Sequence, residues 1–314
     1  MTMKKLIYLT LIALATNCTF AQNSTDEHEW VATVKIVDES GSPVGRANIR
    51  VGYYTNNTSV NIEGLTDSNG VFVAAHSTSI RGYAMYELGF VIEKEGYYKT
   101  WSTRDLGINY DVAKWNPTVT MVLKKIGKPI AMSAKIYPLG LKLPEYNKKI
   151  GYDLMVGDWV GPYGKGVTTD VFFEKDYTNV SSSEYYSKII VAFPKTGDGI
   201  QVYIIPDSEK GSDLHSPHEA PIDGYQPELT RETSAQPGQP SKCEHDPNRI
   251  YLFRVRTAID DRGNIVSAHY GKIYGDFMQF TYYLNPTPND RNIEFDPKQN
   301  LIHNLKSFER VTAP

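Results

Sequence analysis

The chain has 314 residues, a formal net charge of −3, 40% hydrophobic and 12% aromatic residues. That length has room for two domains of ordinary size, and the balance gives enough apolar matter for real cores. A charged fraction of 22% with a slight acidic excess argues against both a disordered chain and a polyanion-binding one, so nucleic acid is not an expected partner.

The first 21 residues read as a targeting segment. Lys4 and Lys5 precede the short apolar run "LIYLTLIALA", and Thr19 and Ala21 occupy the small-residue cleavage positions of "TFAQ". The run falls short of the ~20 residues that span a bilayer, and no later stretch is long enough for a transmembrane helix. The expectation is export to the periplasm, cell surface or medium. A lipoprotein anchored through Cys18 is the less favoured alternative, because Asn17 is a poor fit to the small residue such a site wants. Cleavage after Ala21 leaves Cys243 as the single cysteine, so stability has to come from packing without an internal disulfide.

From residue 29 to 125 the apolar pattern has period two. Ala32, Val34 and Ile36 share one face, as do Ile49, Val51 and Tyr53, and later Val119, Met121 and Leu123. The turn-forming runs "DESGSPV" (38–44) and "TDSNG" (66–70) lie between them. These segments predict a small antiparallel β-sandwich. "VKIVDESGSPVGRANIRV", "GLTDSNGVF", "VIEKEGYYKT" and "TVTMVLK" resemble the carboxypeptidase regulatory-like domain, of transthyretin-like fold. The resemblance is carried by Pro43, Val44, Ala47, Asp67, Gly70, Phe72, Lys94, Gly96 and Tyr97, over about the first third of the chain. Arg46 stands where that family usually has glycine, and an insertion over about 98–115 precedes the last strand. The resemblance implies a seven-stranded or similar sandwich that accompanies or presents something else, and it implies no chemistry.

Residues 126–150, with Pro129, Pro138 and Pro144, read as a connector that contributes edge strands at most. A second, larger β-sandwich is expected over 151–314, from "YDLMVGDWV", "VTTDVFFEKD", "YYSKIIVAFP", "IYLFRVRTA" and "MQFTYYL". "DDRGN" (260–264) is a hairpin turn, and Arg254 and Arg256 are taken as one exposed strand face. Residues 206–248 hold seven prolines and read as one long loop, with "GYQPELTRE" as a candidate strand inside it. The fold class is therefore all-β. "YYLNPTPNDRNIEFDPKQNL" resembles the ending of a set of secreted bacterial proteins that also share stretches like "VGDWVGPYGKG" and "YGKIYGDF"; the resemblance covers the second domain and implies no activity.

"GDWVGPYGKG" (157–166) invites a phosphate-loop reading, which fails. With Lys165 in the lysine position the first glycine is replaced by Trp159, and Gly166 has no hydroxyl for a metal. As a turn after a strand the letters make sense, with Trp159 plugging the core. The functional alternative is a ligand platform in which Trp159 and Tyr163 offer ring faces to a sugar and Asp158 accepts its hydroxyls. In the proline-rich segment, His215, His218, Glu219, Cys243 and His245 are donor types that zinc accepts. Their spacing matches no zinc motif, so no cofactor is expected and zinc is kept as the alternative. No histidine is followed three residues later by glutamate, and neither Gly-x-Ser-x-Gly nor Ser-x-x-Lys occurs. Paired carboxylates for glycoside chemistry carry no local signature, and Glu294 and Asp296 read as turn residues. The leading reading is an exported, non-catalytic binding, adhesion or scaffold protein recognising carbohydrate or an envelope protein. A secreted hydrolase working from the second domain and a purely structural envelope protein are the alternatives.

Overall fold

The computed structural model describes residues 27–54, 59–79, 87–105, 116–243, 246–277 and 279–314. The targeting segment, Cys18, much of the 98–115 insertion and His245 lie outside the described residues. Strands dominate, and the described helix is confined to two single 3₁₀ turns, so the protein is all-β.

Seven strands form the first unit: β1 (Glu27–Asp38), β2 (Asn48–Tyr54), β3 (Ser59–Leu65), β4 (Val71–Ser79), β5 (Glu87–Glu93), β6 (Thr100–Asp105) and β7 (Thr118–Leu123). They make two sheets, in the orders β4-β1-β7 and β3-β2-β5-β6. The period-two residues Val34, Ile36, Ile49, Val51, Phe90 and Met121 meet between the sheets, since alternate side chains of a strand share a face. Turns form where short acidic side chains stand in for backbone. Asp38 accepts the Ser40 and Ser42 amides at 2.9 and 3.0 Å, and Asp67 those of Asn69 and Val71 at 2.9 and 2.8 Å. The start of the insertion is β6 itself, an edge strand of the four-stranded sheet.

The second unit comprises β8 (Ile130–Tyr137), β9 (Ile150–Asp153), β10 (Asp158–Trp159), β11 (Val171–Ser181), β12 (Glu184–Ala192), β13 (Gly199–Ile204), β14 (Glu228–Ala235), β15 (Lys242–Cys243), β16 (Arg249–Ile259), β17 (Ile265–Asp276), β18 (Gln279–Leu284) and β19 (Phe295–Asn300). Two six-stranded sheets result, β10-β9-β11-β12-β14-β15 and β13-β16-β17-β18-β8-β19. The segment read as a connector supplies β8, hydrogen-bonded to β18 on one side and β19 on the other. The segment read as one loop contains β14 and β15. β14 pairs along the length of β12, which satisfies a backbone that a structureless 206–248 loop would have left to water.

The second sheet is buried on both faces. Its inner face packs Tyr251, Phe253, Val255 and Tyr282 against Phe173 and Val191 of the first. Its outer face, with Met132, Ile250, Leu252 and Tyr283, is covered by Ile205, by Ala220 from the 206–227 segment, and by Ile293, Phe295 and Val311 from the tail. The arginine pair is therefore not an exposed face. Arg254 is buried, donates to the Gly197 and Ile222 carbonyls at 2.6 and 2.7 Å, and lies 4.7 Å over the Tyr225 ring. Lys272, 0% exposed, donates to Ser216 Oγ at 3.1 Å and sits between the rings of Tyr274 and Tyr283. Polar positions that alternate along β16 and β17 as surface residues would instead fasten a third layer of chain.

The same covering segment carries the two units together. Lys124, at 1% exposure, reaches from the end of β7 to the Ser216 carbonyl (3.0 Å) and Glu209 (2.7 Å). The Trp101 amide donates to Gly211 at 2.8 Å, and the Asp213 amide to Lys99 at 2.8 Å. A Cβ on Gly211 would lie 1.5 Å from the Trp101 carbonyl oxygen, so this crossing admits only glycine.

Glu294 is the centre of the junction and not a turn residue. Its buried carboxylate accepts Tyr98 OH at 2.5 Å and the Gly127 and Lys128 amides at 2.8 Å each, and it faces His218 Nδ1 at 3.3 Å. His218 Nε2 lies 3.2 Å from Glu39 of the first unit. Burial pushes the Glu294 carboxyl up, but His218, Tyr98 and the two amides outweigh it and hold it at about 2. The Glu294 carboxylate raises the His218 imidazole against burial, with Glu39 adding to the effect. Glu294 thus contributes stability above its ordinary 4.5, lost as pH falls toward about 2. Protonated His218 contributes below its ordinary 6.5, and that contribution is lost as pH rises through its raised value. The thermal midpoint is expected to peak between 4.5 and 6.5. His218→Ala should flatten the alkaline limb, and an alkaline limb unchanged in that variant would contradict the bridge.

Candidate functional site: a cleft beside Trp159

The 153–170 segment closes on carboxylates rather than on an anion. Asp153 accepts the Met155 and Val156 amides on Oδ1 (3.0 and 3.1 Å) and those of Val167 and Thr168 on Oδ2 (3.0 and 2.9 Å). Asp170 accepts the Leu154 amide at 2.8 Å. Both are buried and share the Arg256 guanidinium, which donates to Asp170 at 2.7 and 3.0 Å and to Asp153 at 2.9 Å. Arg256 sits at a bulge in β16 with φ +55°, a left-handed conformation rare for arginine. Burial pushes the Asp170 carboxyl up and Arg256 opposes it.

This frame presents Trp159. Its indole packs edge-on against Tyr152 (centroids 5.2 Å) and Phe173 (6.0 Å), joining the core while keeping part of its surface open. The open side lines a cleft of about 260 Å³ with Tyr137, Leu139, Asp158 and Phe308. Leu139 is 76% exposed and Phe308 50%, an unusual outlay of apolar surface on neighbouring residues. Lys135, Lys142 and Lys306 stand at the rim. Lys135 is engaged by the Gly157 carbonyl (3.0 Å) and Glu309 (3.4 Å). Lys142 and Lys306 have no carboxylate partner among the described residues.

The two acids of the cleft are occupied. Asp158 accepts the Trp159 and Lys165 amides, both at 2.9 Å, and Glu309 accepts the Lys306 amide at 3.0 Å besides its contact with Lys135. The expected platform is therefore only partly assembled. Trp159 and Asp158 line one cleft, whereas Tyr163 turns away to hydrogen-bond Glu145 and Lys148. Asp158 braces the loop by accepting one backbone amide on each oxygen, which leaves a lone pair on each. Tyr137, Leu139 and Phe308 were missed, because the first two lie in the supposed connector and the third in the tail. Their one sequence signal is apolar side chains beside proline or charge where no core strand continues.

The metal candidates do not converge. Among the described residues no three His, Cys, Asp or Glu side chains are grouped to hold an ion. His215 is half-buried against the Tyr274 ring (5.0 Å), and desolvation, reinforced by Lys272 and Lys124, lowers its imidazole to about 4. His218 belongs to the junction, Glu219 pairs with Arg291 at 2.5 Å, and Cys243 is exposed on β15. Ser216 Oγ contacts both Lys272 Nζ (3.1 Å) and Tyr274 OH (3.2 Å), residue types that elsewhere serve nucleophilic catalysis. Ser216 and Lys272 are both 0% exposed, so this group is sealed and structural.

Arg256→Ala strands two buried carboxylates, and removing one partner of a buried pair costs about 3–5 kcal/mol. The loss should be read in the urea unfolding midpoint together with disappearance of the Trp159 near-ultraviolet signal. A variant with wild-type stability would show that the carboxylates do not depend on the guanidinium.

No protein-family model and no curated protein matches this chain. Among solved structures it is similar to 3-chlorocatechol 1,2-dioxygenase from Rhodococcus opacus 1CP, at 15% identity and a TM-score of 0.27 over 33% of this chain and 63% of that one. It is similar to catechol 1,2-dioxygenase from Acinetobacter sp. ADP1 at 8% identity and a TM-score of 0.25, over 34% and 55% of the two chains. A protein of unknown function from Bacteroides fragilis NCTC 9343, described as membrane-associated, is similar at 11% identity and a TM-score of 0.20, over 83% of this chain and 99% of that one. At these scores the likenesses carry no argument about fold or function.

Proposed function

We propose that this chain is an export-directed, non-catalytic binding protein of the cell envelope or extracellular space, and that its ligand is a carbohydrate carrying an acidic group, held in the Trp159 cleft. One observation carries the reading. The cleft combines exposed apolar surface at Leu139 and Phe308 with the Trp159 ring and two lysines that have no carboxylate partner among the described residues, Lys306 lying 5.6 Å over the Phe308 ring, while both of its carboxylates hold backbone amides. Ring faces and apolar side chains bury the CH patches of a sugar, and Lys142 and Lys306 complement an acidic substituent. General acid–base hydrolysis of a glycosidic bond uses two carboxyl groups free to exchange protons, and Asp158 and Glu309 are committed to backbone amides and Lys135. The likeness of the first unit to regulatory-like accessory domains accords with this role. Among the described residues no helix is long and apolar enough to cross a membrane.

A glycan array probed with the chain from Gln22 onward tests the proposal. Acidic glycans should bind above their neutral counterparts. Trp159→Ala and Leu139→Asp should each weaken binding about tenfold, roughly 1.4 kcal/mol, with the circular dichroism spectrum preserved. An empty array, or bound glycans recovered with new reducing ends, would overturn the non-catalytic sugar-binding reading.

A further inference from the structure

A second ligand surface lies on the first unit, on the face of the β3-β2-β5-β6 sheet that points away from its core. The strand register sets this face in rows. Glu63, Arg50, Val91 and Trp101 stand side by side in one row, and Asn61, Gly52, Gly89 and Thr103 in the next. Two glycines directly opposite one another at the centre of a sheet leave a depression, because neither strand raises a side chain there. Tyr54, one row further along β2, lays its ring back into that depression. A Cβ on Gly52 would lie 2.7 Å from its Cζ, and one on Gly89 2.7 Å from its Cε2. The ring is thus held flat on backbone with one face outward, and Tyr54 is 40% exposed.

Trp101 is 58% exposed on the edge strand β6, and among the described residues no buried cluster takes up its ring. Its backbone is nevertheless fixed, since its amide donates across the unit junction to Gly211 at 2.8 Å. A large ring fixed at its root and left in water is a costly placement for a residue that ordinarily packs. Two cavities meet at Arg50 and Val91. One, of about 350 Å³, runs between Tyr54, Asn61, Trp101 and Thr103; the other, of about 680 Å³, continues past Glu63 and Lys99. The result is a long shallow trough with two aromatic faces and a border of amide, hydroxyl and guanidinium groups. Both of its cations are paired, Arg50 with Glu63 at 3.8 Å and Lys99 with Glu93 at 2.5 Å, and Glu87 adds a further carboxylate to the lining.

We infer that this trough binds an extended, uncharged oligosaccharide chain, with sugar rings stacked on Tyr54 and Trp101 and hydroxyls bonded to Asn61, Arg50 and Thr103. Two adjoining cavities in one line suit a linear polymer, and the pairing of Arg50 and Lys99 with glutamates leaves neither cation for an acidic one. The site is separate from the Trp159 cleft in position and in preferred charge. Two sites on one exported chain, joined through the Glu294 junction, would hold a composite glycan surface with an avidity neither reaches alone.

The test uses β-1,4-linked hexasaccharides of glucose, xylose, mannose and N-acetylglucosamine in calorimetric titrations, with co-sedimentation on the matching insoluble polymers. Saturable binding of at least one neutral chain is expected, weakened about tenfold by Trp101→Ala and by Gly89→Val, which displaces the Tyr54 ring. Thermal midpoints of both variants report folding, and Tyr54→Ala supplies a third variant at an exposed side chain. Absence of binding across the panel, or binding that survives Trp101→Ala, overturns the inference. Trp159→Ala leaves this face intact and reports on the cleft alone, so failure at one site is distinguishable from failure at the other.

Discussion

A cation taken out of water has to find oxygen atoms or aromatic faces, and that constraint organises this protein. Lys272, Lys124 and Arg254 are all buried, and each is satisfied by the 206–227 segment or the rings beneath it. Burying an unsolvated ammonium or guanidinium costs several kcal/mol or more, and burial drives the Lys272 amine well below its ordinary pKa, so the segment and these basic groups are mutually dependent. Remove the segment and three buried basic groups lose their partners; remove those groups and a proline-rich strip loses what fastens it. The second unit therefore has three layers, two sheets and a coat of irregular chain.

That coat also joins the two units. Residues 209–218 contribute Glu209, Gly211, Ser216 and His218 to contacts with Lys124, Trp101 and Glu39. Glu294 completes the joint from the tail, taking a phenol and two backbone amides at once. A carboxylate surrounded by donors is well stabilised in its ionised form. The donors come from both sides of the boundary, so ionisation of one group and alignment of two sandwiches are linked. The relative placement of the Trp159 cleft and the Tyr54–Trp101 face follows from this joint.

Carboxylates shape the Trp159 cleft by the same logic at smaller scale. Four amides converge on Asp153, and one guanidinium ties Asp153 to Asp170. A glycine-rich, lysine-containing stretch looks from its letters like an anion receptor. Here it is organised by the protein's own anions, which occupy the amides that a phosphate would need. Its lysine amide is likewise taken by Asp158. What the loop leaves open is a ring face and apolar neighbours.

The period-two runs, the Asp-led turns and the absence of helical spacing were legible in the chain, because each depends on neighbours a few residues apart. Trp159 as a core-edge ring was legible for the same reason. The inner and outer faces of β16 and β17 were not separable by alternation. Arg254 and Lys272 alternate as surface residues do, yet their face is roofed by chain 32 to 56 residues away in sequence. β8 was hidden behind its flanking prolines, and Leu139 and Phe308 stood apart until folding made them neighbours. Local backbone preference and side-chain alternation thus determined strand content and class from the sequence alone. Which polar residues are buried, which acid holds the two units and which aromatic rings stay in water were decided by tertiary structure, because desolvation depends on what the rest of the chain brings to each site.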